Sequence, residues 1–258
     1  MGFGTILLEK SGDISTLTLN RPDARNAIDL VMREEIVAAL DEVEADESTR
    51  VLIVTGAGDH FCAGGDVKSM QAKRHTAAEG RARVELLNRM VLRLVDFPTP
   101  TLAMVDGYAV GAGFNLALAC DLIVASARAR FGQLFSKIGL VPDGGGTYFL
   151  PRLVGPAKAK ELVFTADIID ADEAWRLGLI NRAVPVGDLR PATLALARRI
   201  ADGPPKVLAL AKRLLNRSAN LDLPGALELE AFAQSNALAS EDHQEGLRAF
   251  FEKRPPRF

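Results

Sequence analysis

Thr101-Leu102-Ala103-Met104-Val105, then Gly107-Tyr108-Ala109-Val110-Gly111-Ala112-Gly113-Phe114-Asn115, then Leu122-Ile123-Val124-Ala125 stand almost end to end in this chain. The first and last are short apolar runs of the length and composition of buried strands. Between them a loop of small residues opens into a helix over 111–119. A strand, a glycine loop, a helix and another strand in so short a span is the alternation of an α/β fold. The same order stands upstream. Thr5–Glu9 and Ile14–Leu19 read as strands joined by a Ser-Gly-Asp turn, and Asn20-Arg21-Pro22-Asp23 as a turn. Asp29 is placed to cap a helix whose apolar residues Ile36, Leu40 and Val43 recur at helical spacing. Val51–Val54 is a buried strand, Gly56 to Gly65 a glycine-rich loop, and Val84, Leu87, Val91 and Leu94 mark a helix stopped by Pro98 and Pro100.

From about residue 190 the pattern turns helical throughout, over 194–200, 207–215, 226–238 and 245–251. We therefore divide the chain into an α/β core, 1–198, and a helical region, 199–258. Leu229, Phe232, Ala233 and Ala237 fall on one face of the third tail helix. That stripe is expected to cover another subunit, since the tail is too small to build a core of its own.

Composition narrows the function. The chain has 258 residues, 48% hydrophobic and 25% charged, with a net charge of -2 and a pI near 6.0. It can bury a large core without metals or disulfides, and it lacks the basic stripe of a nucleic-acid binder. Met1-Gly2-Phe3-Gly4 does not read as a signal peptide, and no apolar run is long enough to span a membrane. Two cysteines, Cys62 and Cys120, without metal or redox spacing fit a reducing cytoplasm. His60, His75 and His243 are isolated in polar contexts and read as surface or loop residues. Trp175 and Cys120 read as core.

Three motifs can carry chemistry. Phe61-Cys62-Ala63-Gly64-Gly65-Asp66-Val67 is either a tight turn with Asp66 capping a helix or a loop whose N–H groups approach a ligand. Gly107–Asn115 is either close helix-on-sheet packing or a helix start that offers donors to a developing oxyanion. In Pro142-Asp143-Gly144-Gly145-Gly146-Thr147, Asp143 is either a helix cap or a general base in an apolar pocket, given Phe131, Phe135, Ile138 and Val141 before it. Apolar surroundings raise a carboxyl pKa and a helix dipole lowers it. Gly56-Ala57-Gly58 follows a strand, but Phe61 stands where a dinucleotide-binding loop needs its last glycine.

In fixed order these motifs resemble the crotonase, or enoyl-CoA hydratase/isomerase, family. The resemblance runs from Leu19-Asn20-Arg21-Pro22 through Asn26-Ala27, Phe61–Val67, Gly107–Asp121, Phe131-Gly132-Gln133 and Pro142–Thr147 to Glu245-Gly246 and Phe250–Lys253. It implies a crotonase-like spiral of ββα units with C-terminal helices that form a homotrimer or a hexamer of paired trimers. It implies an oxyanion hole at the N–H groups of Gly65 and Ala112. Backbone groups at Ala63, Gly64, Asp66 and Val67 would hold the adenine end of coenzyme A, and Lys253 would reach its phosphates. Arg25, Asn115 and Phe135 complete the expected lining. No metal and no separate cofactor are implied, since coenzyme A arrives as part of the substrate.

Family hydratases use two glutamates on water, and the matching positions here are Asn115 and Phe135. Neither is a base. Phe135–Asp143 followed by Gly144-Gly145-Gly146-Thr147 instead resembles the ring-epoxide phenylacetyl-CoA isomerase branch, in which an aspartate at the place of Asp143 is the acid/base. An acyl-CoA isomerase with one aspartate is therefore expected. The alternatives are a hydratase using Asp143 with an unusual second group and a non-catalytic acyl-CoA binding protein.

Overall fold

The computed structural model describes residues 2–71 and 76–258, so His75 lies outside the described residues. A six-stranded sheet has the order β1 (Ile6–Ser11), β2 (Ile14–Leu19), β3 (Val51–Gly56), β4 (Thr101–Val105), β6 (Leu122–Ser126), β9 (Arg182–Val184), and all neighbours but β1 and β2 run parallel. A second sheet has the order β5 (Tyr108–Val110), β7 (Arg130–Gly132), β8 (Ile168–Asp170). The chain climbs between the two sheets turn by turn. It leaves β4 for β5, and β6 for β7. After β3, residue Cys62 bridges to Ala109 as a third, one-residue rung. A helix closes each turn: α2 (Val67–Gln71) and α3 (Ala77–Val95) the first, α4 (Ala112–Leu118) the second, α5 (Gly146–Thr165) the third. This is the expected spiral of ββα units.

The alternation of side chains along each strand fills both faces of the large sheet. Leu52, Val54, Ala103, Val105, Ile123 and Ala125 enter the main core with Phe61, Phe114 and Phe131. The intervening Val51, Ile53, Leu102, Met104 and Val124 meet α7 (Leu189–Ala201) through Leu189, Ala197 and Ala201. The division at 198–199 therefore falls inside a helix packed on the sheet. The helices beyond are α8 (Pro205–Ser218), α9 (Leu223–Leu238) and α10 (Glu241–Glu252), with α6 (Ala171–Arg176) and α1 (Leu30–Ala45) earlier in the chain. On α9, Ala233 is buried, Leu229 and Ala237 are half-buried, and Phe232 projects outward.

Asp29 caps α1 as expected, accepting from Met32 N at 2.8 Å. Four strands escaped the sequence reading, namely β5, β7, β8 and β9. Each has three residues, too few for a period-two pattern to register, and their pairing comes from the spiral. Trp175 is not core: it lies on the short α6 and is 56% exposed, whereas Cys120 is buried. Ile138 and Val141 also point outward, because a one-turn 3-10 helix over Leu134–Ile138 turns only Phe135 inward.

The rings of Phe114 and Phe131 pack 5.1 Å apart between the sheets. Phe114→Ala should cost about 3–5 kcal/mol in chemical denaturation. Trp175→Ala should change stability by only about 0.5 kcal/mol.

Candidate active site

The loop after β3 is pinned by the turn that precedes α1. Asn26, buried and in the left-handed region at φ 57°, donates from Nδ2 to the carbonyls of Ala57 (2.9 Å) and His60 (2.7 Å). The Arg25 carbonyl accepts from Ala63 N at 2.9 Å, while the Arg25 side chain is exposed. Ile28 donates to Gly64 O (2.8 Å) and accepts from Asp66 N (3.1 Å). The Asp66 carboxylate receives Arg21 Nη2 at 2.9 Å and Ser69 N at 3.2 Å. Burial alone would raise its pKa, but the Arg21 hydrogen bond and charge and the Ser69 N–H hold it below the usual value. Asp66 is thus the helix cap, and most backbone groups of the loop already have partners.

Gly65 N–H and Ala63 C=O are among the groups of this loop without partners among the described residues. The Ala112 N–H, first in α4, is likewise undonated among them. The two chain segments touch. Gly64 has φ 95°, and a side-chain carbon there would lie 2.9 Å from Val110 O and 3.5 Å from Ala112 N. Only glycine permits that approach. Phe135, 7% exposed, covers the helix start, with ring carbons 3.8 Å from where a Gly111 Cβ would stand. Gly65 and Ala112 therefore present free donors beside an apolar wall, the requirement for stabilising an oxyanion.

Asp143 joins this place through Asn115, one turn into α4. Asn115 Nδ2 donates to the Asp143 main-chain carbonyl at 2.7 Å, and its Oδ1 accepts from Gln133 Nε2 at 2.7 Å. Gly146 packs so tightly on it that an added Cβ would come within 2.5 Å of Nδ2. Asn115 is fully buried and both ends of its amide are occupied, so it is no substrate contact as expected but the tie that fixes the Asp143 loop.

The Asp143 side chain is not the cap of α5. That place belongs to Gly145, which makes no side-chain hydrogen bond. Asp143 Oδ1 is buried and has no partner among the described residues. Its pKa is raised: desolvation outweighs the opposing charge of Arg33 and a hydrogen bond from its own backbone. Arg33, on α1, is buried and was not among the expected site residues, while Gln133, also buried, stood in the Phe131-Gly132-Gln133 motif with no role assigned. The signal was present, because Arg33 lies three residues before Ile36 on the apolar stripe of α1, where a charge requires a reason. His60, half-buried, accepts the Tyr108 N–H at its Nδ1 (3.3 Å), and His243 lies in α10.

Lys253 ends α10 at φ 55°, exposed. The chain end after it accepts Arg50 Nη2 at the Phe258 carbonyl, beside the opposite end of β3 from the glycine loop. No group of His, Cys, Asp and Glu able to hold a metal occurs among the described residues, and no helix among them is long and apolar enough to cross a membrane.

The pattern of the enoyl-CoA hydratase/isomerase family matches residues 9–258. The chain belongs to that family. The crotonyl-CoA hydratase of Syntrophomonas wolfei subsp. wolfei is 40% identical over 260 residues, covering 100% of this chain and 99% of the relative. The 1,2-epoxyphenylacetyl-CoA isomerase of Escherichia coli K12 is 37% identical over 255 residues, covering 98% of this chain and 97% of the relative. The crystal structure of an enoyl-CoA hydratase from Polaromonas sp. JS666 superposes with a TM-score of 0.94 at 36% identity, covering 98% of this chain and 99% of that one. The family assignment makes this chain an enzyme of the crotonase superfamily, a hydratase or an isomerase of enoyl-CoA thioesters.

Asn115→Ala should lower stability by about 1–3 kcal/mol, because it leaves the buried Gln133 amide unpaired and removes one of the two donors to the Asp143 carbonyl, the other being Gly146 N at 3.1 Å. It should also lower activity by releasing the loop. Denaturation curves and turnover of the same preparation check both.

Proposed function

We propose that this enzyme isomerises acyl-CoA thioesters by moving one proton, with Asp143 as its single acid/base. The observation that carries this reading is the pairing of one buried, unpartnered carboxylate oxygen with two free N–H groups, at Gly65 and Ala112. The thioester carbonyl oxygen accepts from both N–H groups. Asp143 takes a proton from the acyl chain, the bonding pair moves toward the carbonyl carbon, and the enolate charge rests on the oxygen that the donors hold. The same carboxyl returns the proton to another carbon, so the double bond moves or a strained ring opens. The Ala63 carbonyl is free to accept from the adenine end of coenzyme A. No metal or further cofactor takes part.

A second reading, hydration of a 2-enoyl-CoA, is favoured by the names of several relatives, the crotonyl-CoA hydratase among them. Against it stand Asn115, whose amide is occupied by protein groups, and Phe135, an apolar ring. The exposed Leu215, Phe232, Phe250 and Phe251 of the tail fit a trimer or a pair of trimers.

Asp143→Asn should leave folding and acyl-CoA binding intact and lower turnover by about 10²-fold or more. Assay of a panel of enoyl-CoA and epoxyphenylacetyl-CoA thioesters checks this. Fast 2-enoyl-CoA hydration that survives the substitution would refute the reading. In the parent, kcat/KM should fall on the acid side with a pKa above the ordinary aspartate value, because the base must be ionised and burial raises its pKa. Ala112→Pro, which deletes one donor, should raise the barrier by about 2.7–4 kcal/mol.

A further inference from the structure

Arg33 is a cation in a place built for a hydrocarbon. It is 4% exposed and stands on α1 among Met32, Ile36 and Leu40, all buried. One of its nitrogens, Nη1, donates to the Arg83 carbonyl on α3 at 2.6 Å, which fixes the guanidinium. Its Nε is buried and has no partner among the described residues. Asp143 Oδ1, on the loop before α5, is in the same condition. Leu87, on α3, lies against the neighbouring Gly144: a Cβ on that glycine would come 3.4 Å from the Leu87 Cδ2. The loop of Asp143 therefore packs against the helix pair that carries Arg33.

A buried carboxylate that accepts no hydrogen bond from a neighbour resists ionisation unless a cation is close. The charged groups around this pair come from three elements. Asp29 stands at the N-cap of α1, Arg83 on α3, and Asp143 itself before α5. Arg83 repels Arg33, Asp29 attracts it, and Arg33 is the charge that acts on Asp143.

We propose that Arg33 is a positioning residue for the reaction, a fixed buried cation that holds Asp143 as a carboxylate ready to take a proton. This rests on the single-carboxylate reading of the site. Arg33 acts through Asp143, with no direct hydrogen bond between the two side chains among the described residues. A tie between α1 and α3 alone would give Arg33 a structural role but would leave the titration of Asp143 where it is.

The test compares the parent chain with Arg33→Met and Arg33→Lys, and with Arg33→Gln as the neutral variant if methionine prevents folding. The carboxyl carbons of aspartate are labelled with carbon-13, and the Asp143 signal is assigned by its loss in Asp143→Asn. The expected result is that the neutral variant raises the Asp143 midpoint by about one pH unit or more. The acid limb of kcat/KM should move by the same amount, and KM for the thioester should change little. Lysine should keep both near the parent. An Asp143 midpoint that is the same in parent and neutral variant overturns the proposal, even if activity falls. A shifted midpoint in a protein that turns over no isomerase substrate would support the charge coupling and sink the isomerase reading, so the two failures are distinguishable.

Discussion

One hydrogen bond ties the proposed chemistry of this enzyme to its frame: the Asn115 amide donating to the main-chain carbonyl of Asp143. The donor sits one turn into the helix whose first N–H, at Ala112, is free. The acceptor belongs to the residue with the buried carboxyl. Gln133 holds the other end of the amide, and Gly146 leaves no room for it to turn. A proton-transferring group must be placed within a fraction of an ångström of its target. In the proposed reaction that placement would come from Asn115, a fully buried side chain on a regular helix. The loop's own conformation, with two successive glycines at positive φ after Asp143, would not define it.

The same arrangement sets the electrostatics. Burial disfavours the charged form of Asp143 and of Arg33 alike, and each is the main favourable charge for the other. Asp66 shows the contrast. It is also partly buried, but Arg21 and the Ser69 N–H contact it directly, and its pKa is lowered. Two aspartates on neighbouring loops thus differ in the direction of their pKa because one is held by donors and the other has a buried oxygen left without one. An acid that must gain and lose a proton in each cycle belongs in the second situation.

The sequence made much of this legible. The strand and helix alternation, the caps at Asp29 and Asp66 and the three glycine motifs follow from local chemistry, and each lies where that chemistry put it. The three-residue strands could not be read, because they exist only through pairing between turns of the spiral. Trp175 and Val141 were misplaced for a related reason, since an apolar residue type does not say which way a short helix or turn will face. Asn115 was legible as a departure from the two-glutamate pattern but not as a tie, because its partners lie eighteen and twenty-eight positions away. Arg33 was visible as a charge on an apolar stripe, yet the carboxylate whose charge acts on it, 110 residues along the chain, is brought within range only by folding.

The central claim is that one carboxylate moves a proton beside a thioester without adding water. Mass analysis of products formed in oxygen-18 water from a 3-enoyl-CoA, with 2-enoyl-CoA run in parallel, tests it most directly. The account predicts an isomerised product free of the heavy oxygen, formed much faster than any labelled hydroxyacyl-CoA. Rapid appearance of a labelled 3-hydroxyacyl product as the first species from 2-enoyl-CoA would contradict it.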